Sequence, residues 1–162
     1  MEILNELRTS RFTPFKEIAQ KIIDNKQLEE LVHCTKDKKL KTNALWLLTH
    51  VVKLNPQPVF PFRKKFIDLL LAPQNFTDQR NTGVILIHLP YTPYREGEVI
   101  DLAFSHIISQ EIPVAVRVNM IYLSLIYAEK YPELLQELIQ MKEILLPGAQ
   151  PSLQVAFRKV KA

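Results

Sequence analysis

The amino-acid sequence predicts an all-α fold, an α-α superhelix in which about nine helices stack in pairs. One helix-like pattern occurs three times, and Asn43, Asn81 and Asn119 hold the same place in it without a gap. They recur at a period of about 38 residues, within the range that is typical of stacked supersecondary units. His50 and His88 repeat the same spacing, and prolines separate the apolar stretches, as expected at helix boundaries. We therefore predict a right-handed stack of two-helix repeats.

Cap residues and prolines predict where each helix begins and ends, because proline inside a helix costs about 3 kcal/mol. Thr13-Pro14 has the pattern of an N-cap followed by proline at the first helical position, and Asp37 is expected to cap the third helix. Thr77-Asp78 is expected to open the fifth helix, and Gly97 to precede the sixth. In chain order, the predicted helices cover about 14–24, 26–35, 38–54, 60–72, 78–89, 98–110, 113–130, 132–146 and a last one from Pro151.

The segment Val84-Ile85-Leu86-Ile87 is ambiguous, because β-branched residues that follow a glycine also suit a buried strand. Its register with Leu45–Leu48 and Ile121–Ser124 favours a helix, and no second segment is suited to pair with a lone strand. The residues predicted to be largely buried are Trp46, Leu47, Leu48, Phe66, Leu70, Leu86, Phe104, Ile107, Leu123 and Leu138.

Composition indicates one α-solenoid domain over residues 1–162, because 47% of the residues are hydrophobic and the length suits a single core. No apolar run reaches the roughly 20 residues that cross a bilayer. The start of the chain lacks the pattern of a secretory signal, and a single cysteine, Cys34, cannot form an internal disulfide. We therefore expect a cytoplasmic protein.

Catalytic motifs are missing from the sequence, which has no phosphate loop, dinucleotide fingerprint, zinc-protease motif or nucleophile elbow. His33-Cys34 is interpreted as a buried, inert cysteine beside a histidine, since a metal site needs three or four converging ligands. We predict a protein without enzymatic activity, cofactor or metal.

Basic residues are concentrated in the first part of the chain. Residues 1–65 carry 13 Lys and Arg against 7 Asp and Glu, whereas residues 94–143 carry 4 against 8. Lys41, Arg80 and Arg117 begin the same helix in successive repeats. They suit either bonds to the adjacent repeat or a basic stripe that meets phosphates or an acidic partner.

The asparagines at the shared position also allow two interpretations. Asparagine favours caps and turns over helix interiors, so three in register require a reason. They form either an amide ladder that satisfies backbone groups between repeats or a row of side chains that bonds a partner's backbone.

Trp46-Leu47-Leu48-Thr49-His50 resembles the armadillo pattern Trp-x-x-x-Asn, with His50 in the place of asparagine. Val84 and His88 hold the matching places in the second copy, and Tyr122 and Ile126 hold them in the third. The resemblance implies that these positions face a concave groove that grips extended peptides.

A second resemblance, over about residues 40–162, is to small bacterial HEAT/armadillo-like proteins of the Bacteroidetes type. The segments that carry it are Ala44–Val52, Arg80-Asn81, Ala115–Val118 and Lys130–Leu138. It implies a helical-repeat fold and no particular activity.

The leading hypothesis is a module that binds a protein or peptide on its concave face. The alternative is nucleic-acid backbone binding, as in HEAT-like DNA alkylation repair proteins, for which only Trp46 and Asp68 are loose candidates for a catalytic site. Self-association is a third possibility. The predicted binding residues are Lys41, Asn43, Trp46, His50, Arg80, Asn81, His88, Arg117, Asn119 and Tyr122, with the Lys, Arg and Asn side chains on one exposed face.

Overall fold

The computed structural model describes residues 15–162, and within them the chain is all-α, as predicted. The helices are α1 (Phe15–Asp24), α2 (Leu28–Cys34), α3 (Lys41–Leu54), α4 (Arg63–Leu71), α5 (Phe76–Ile87), α6 (Glu96–Ile108), α7 (Val114–Lys130), α8 (Pro132–Leu145) and α9 (Pro151–Phe157). Short 3-10 helices, Gln57–Phe62 and Leu146–Gly148, precede α4 and α9. The ambiguous segment at Val84 lies in α5 and is helical, as its register predicted.

Two predicted caps are wrong, because the capping side chain lies elsewhere or caps a turn. Helix α5 begins at Phe76, where the Asn75 side chain accepts a hydrogen bond from the backbone N–H of Asp78 at 2.8 Å. Asp37 accepts from the backbone N–H of Lys39 at 2.8 Å, so it caps the turn that precedes α3 and not the helix itself. The predicted start at Thr13-Pro14 lies outside the described residues.

Helix α6 begins at Glu96, before the predicted Gly97 boundary, after a residue with left-handed backbone. Arg95 has φ 49°, which is uncommon for a residue other than glycine. Its guanidinium bonds Asp68 of α4 at 2.8 Å and Glu98 of α6 at 2.7 and 3.0 Å. These ion pairs connect α4 to the start of α6 and hold the pKa of the Asp68 carboxyl below its ordinary value.

The helices pack in two rows, as expected for stacked helix pairs. Helices α1, α3, α5, α7 and α9 form the first row, in which each helix contacts the next. In the second row, α2 contacts the 3-10 helix before α4, and α4 contacts α6. The two rows meet where α2 packs on α3, α4 on α5 and α6 on α7, while α8 packs on α7.

One hydrophobic core runs along the contact between the rows. All the predicted core residues are buried except Trp46 and Phe104, which are half-buried. Trp46 keeps partial exposure because it lies on the solvent-facing side of the first row, where its indole packs against the ring of Phe15 rather than into the core. No helix among residues 15–162 is long and apolar enough to cross a membrane.

Candidate partner-binding face

Arg117 is buried, contrary to the prediction that it lies on an exposed face. Its side chain is 8% exposed, and its Nε and Nη2 both donate to the backbone carbonyl of Ile107, at 3.0 and 2.8 Å. Ile107 is in the last turn of α6, whose final carbonyls have no partner within the helix. A cation here also meets the negative end of the helix dipole. Arg117 therefore closes α6, and of Lys41, Arg80 and Arg117 only Arg80 is exposed.

We expect Arg117→Met to lower the free energy of unfolding by roughly 1–3 kcal/mol, because the Ile107 carbonyl loses a charge-assisted pair of hydrogen bonds. Arg80→Met, at the neighbouring position of the preceding repeat, is the matched control. Arg80 is exposed and should give a change within about 0.5 kcal/mol. Urea unfolding followed by circular dichroism measures both, and equal losses would contradict the capping role.

The asparagine ladder is also largely internal, which corrects the expectation of one exposed row. Asn81 and Asn119 are 5% and 7% exposed. The Asn119 amide donates to the Arg80 carbonyl at 3.1 Å, so this rung joins α7 to α5, as the packing interpretation predicted. Asn43, in the first copy, is exposed. The equivalent tie between α3 and α5 comes from Thr42, whose hydroxyl donates to the buried carboxylate of Asp78 at 2.9 Å.

The first-row surface repeats at two other positions. Trp46, Val84 and Tyr122 share one position, each a full repeat period after the last, and all three are half-buried. His50, His88 and Ile126 share the second, one helical turn further along each helix, and they too are half-buried. Residues one turn apart lie on the same helix face, and α3, α5 and α7 are successive neighbours in the first row, so these six residues form a strip across the three helices. We call this strip the repeat face.

The α3 end of the repeat face is an aromatic cluster. The Phe15 ring from α1 lies edge-on to Trp46 with centroids 4.1 Å apart and stacks on His50 at 5.3 Å. Phe15 is 40% exposed, so the cluster is open to solvent on one side. Partial burial and nearby Lys53 lower the pKa of His50, which favours the neutral ring.

His88, at the end of α5, is fixed by a hydrogen bond, and the side chains around it are mostly apolar. The His88 Nδ1 donates to the Val84 carbonyl at 2.7 Å, which satisfies one of the last carbonyls of α5. His88 lines an open depression together with Ile87, Tyr122, Leu125, Ile126 and Lys159. Sequence reasoning did not single out Ile87 and Leu125, although Leu125 lies one full repeat period after Ile87 and so carries the same repeat signal.

A family model described as a HEAT repeat domain matches residues 6–162. The chain belongs to the HEAT repeat domain family. HEAT repeats form helical scaffolds that generally mediate protein interactions and are typically non-catalytic. No protein of curated function and no solved structure matches the chain.

The remaining candidates in this HEAT repeat protein do not converge. Asp68 lies in α4 and bonds Tyr94 and Arg95, whereas Trp46 packs against α1, so the two do not form the loosely suggested catalytic pair. Lys41 is half-buried at the start of α3. Cys34 is buried, and burial raises the pKa of its thiol, as the inert interpretation expects. Within the described part of the chain, no three His, Cys, Asp or Glu side chains are placed to hold a metal ion.

Proposed function

We propose that this HEAT repeat protein is a non-enzymatic interaction module that binds a protein or peptide on the repeat face, and that this face is the concave side of the stack. The observation that carries the proposal is the recurrence of half-buried side chains at the same two positions of α3, α5 and α7, where four are aromatic or aliphatic and two are histidines. Aromatic side chains flanked by a polar rim are the usual anchors of protein interfaces. Arg80 and Lys53 are exposed beside the strip and supply such a rim.

The proposal includes a cytoplasmic location and a bacterial source. The location is supported by the one cysteine, whose buried side chain is a free thiol. The source is implied by the resemblance of residues 40–162 to bacterial HEAT/armadillo-like proteins.

Nucleic-acid backbone binding is the weaker alternative for this surface. A phosphate-binding stripe needs exposed cations along the stack, but Arg117 is used inside the fold to close α6. Of the six side chains of the repeat face, four are aromatic or aliphatic, two are histidines, and none is a lysine or an arginine. Both observations favour a protein partner.

Selection from a random peptide display library tests the proposal without a known partner. We expect enriched peptides, and we expect the double variant Trp46→Ala/Tyr122→Ala to bind them at least about tenfold more weakly, since that equals about 1.4 kcal/mol of lost anchor contacts. The control is Phe60→Ala/Phe76→Ala, which removes two aromatic rings that are 39% and 46% exposed outside the repeat face.

Fluorescence anisotropy with duplex DNA at low and moderate salt tests the alternative. Phosphate contacts predict binding that weakens steeply as the salt concentration rises. Such binding, together with a library that yields no enriched peptide, would overturn the proposed function. Enriched peptides that bind both double variants equally would place the site elsewhere.

A further inference from the structure

A groove crosses the first row between α5, α7 and the residues that follow α9. Its lining consists of Ile87, His88, Tyr122, Leu125, Ile126 and Lys159. A second depression adjoins it and shares Leu125 and Lys159. It is also lined by Ala128 and Glu129 of α7, by Leu135 of α8 and by Lys161 near the end of the chain. We call the two together the lysine-edged groove. It begins at the α7 end of the repeat face and continues to α8.

The floor of the groove is apolar. Ile87, Tyr122, Leu125 and Ile126 are half-buried, and each packs on the hydrophobic core from the outside. Leu125 and Ile126 both follow Tyr122 by about one helical turn, so the three share one face of α7. These side chains give the groove a contiguous apolar floor that a partner can cover.

The edge of the groove is positively charged, and its backbone is held against the fold. Lys159 and Lys161 are exposed, and neither forms an ion pair within residues 15–162. Val160, between them, is fully buried, and its carbonyl accepts a hydrogen bond from Lys142 of α8 at 2.9 Å. Burial of Val160 therefore holds the two lysines beside the apolar floor, although the segment is not helical. Glu129 is the one acidic residue in the lining.

We propose that the lysine-edged groove binds an acidic amphipathic helix of a partner protein. An apolar floor beside a basic edge is complementary to a helix with one apolar stripe and carboxylates along its side, the helix-in-groove mode of recognition. The apolar stripe lies on Ile87, Leu125 and Ile126, and the carboxylates pair with Lys159 and Lys161. This inference rests on the proposed function and names the chemical class of the partner.

Two synthetic peptides that share an apolar face and carry opposite charges test whether the basic edge selects an acidic partner. One is a labelled amphipathic helix of about four turns with Leu on one face and Glu on the others, and the second carries Lys in place of every Glu. We expect fluorescence anisotropy to show binding of the acidic peptide and at least about tenfold weaker binding of the basic one. Binding of the acidic peptide should weaken, but persist, as salt screens the lysines.

Charge reversal locates the site on the protein. Lys159→Glu/Lys161→Glu should weaken binding of the acidic peptide at least about tenfold. Lys38→Glu/Lys39→Glu is the matched control, because these exposed lysines lie in the turn before α3 and change the net charge equally. Circular dichroism verifies that both variants keep their helicity. Equal weakening in the two variants would show that net charge alone explains the loss of affinity, and it would contradict binding in the lysine-edged groove.

The outcomes separate this inference from the proposed function. Library peptides that lose affinity for Trp46→Ala/Tyr122→Ala, together with an acidic peptide that does not bind or that binds Lys159→Glu/Lys161→Glu normally, would leave the proposed function standing and contradict the groove. A library without enriched peptides, no binding of the acidic peptide and salt-sensitive binding of DNA would contradict both. Light scattering that shows a dimer, dissociated by the Lys159→Glu/Lys161→Glu change, would identify a second copy as the occupant and overturn an acidic partner helix.

Discussion

Replacement of Leu48 by alanine should lower the free energy of unfolding by about 2–5 kcal/mol, because it removes buried methyl groups and leaves a cavity. Leu48 is fully buried in α3, the helix that contacts α1 and α5 in its own row and α2 in the second. In a stack of repeats each helix is stabilised by its neighbours. A cavity at this junction therefore weakens several interfaces at once.

Ile144→Ala is the control for Leu48→Ala, since it truncates an aliphatic side chain of the same size on the surface. Ile144 is 79% exposed in α8, and its truncation should change the free energy of unfolding by no more than about 0.5 kcal/mol. Urea denaturation at constant m value compares the two variants. A loss below about 1 kcal/mol for Leu48→Ala would show that the core closes around the cavity or packs differently there.

Replacement of Gly83 by valine should lower the free energy of unfolding by roughly 3 kcal/mol or more, although glycine normally weakens a helix. Gly83 is buried in α5, and a Cβ atom built there lies 3.0 Å from the Cβ of Asn119 on α7. That separation is below ordinary van der Waals contact, and the Asn119 Cβ moves only with its backbone. The two helices must separate, which also strains the bond from Asn119 to the Arg80 carbonyl.

Gly97→Val provides the matched control, because nothing lies within 4 Å of a Cβ built at Gly97 in the first turn of α6. We expect a change within about 0.5 kcal/mol for this variant, and an intermediate loss of roughly 1–3 kcal/mol for Gly83→Ala. Thermal and urea unfolding test all three. If Gly83→Ala were stabilising, the helix propensity of alanine would outweigh the contact, and the close approach of α5 to α7 would be looser than described.

The periodicity of the sequence predicted most of the fold, because a repeat protein uses equivalent contacts between each pair of neighbouring repeats. The constant spacing of the asparagines placed α3, α5 and α7 in equivalent positions, and the prolines marked the helix boundaries to within a few residues. The same register assigned helix to the Val84 segment against its β propensity. Cap positions were harder to predict, because several neighbouring polar side chains suit a cap and only one of them, such as Asn75, meets a free backbone N–H.

The predicted binding residues include buried and exposed side chains, and the sequence pattern did not distinguish the two. At the polar positions of the repeat, Arg117, Asn81 and Asn119 are buried, whereas Arg80 and Asn43 are exposed. Residue type does not distinguish these cases, since an arginine at a helix start suits solvent as well as a neighbouring carbonyl. The armadillo-like positions, in contrast, are half-buried in all three copies.

The sequence by itself determined that this chain is a stack of helix pairs, where the helices lie, and which positions recur in each repeat. These properties depend on local propensity and on spacing along the chain. The tertiary structure alone decided which recurring side chains bond between helices and which remain on the surface. That choice depends on distances between atoms far apart in sequence, such as Arg117 to the Ile107 carbonyl and Asn119 to Gly83. It also brought Lys159 beside Ile87 and Leu125, because the burial of Val160 folds the end of the chain onto α7, and no spacing in the sequence records that contact.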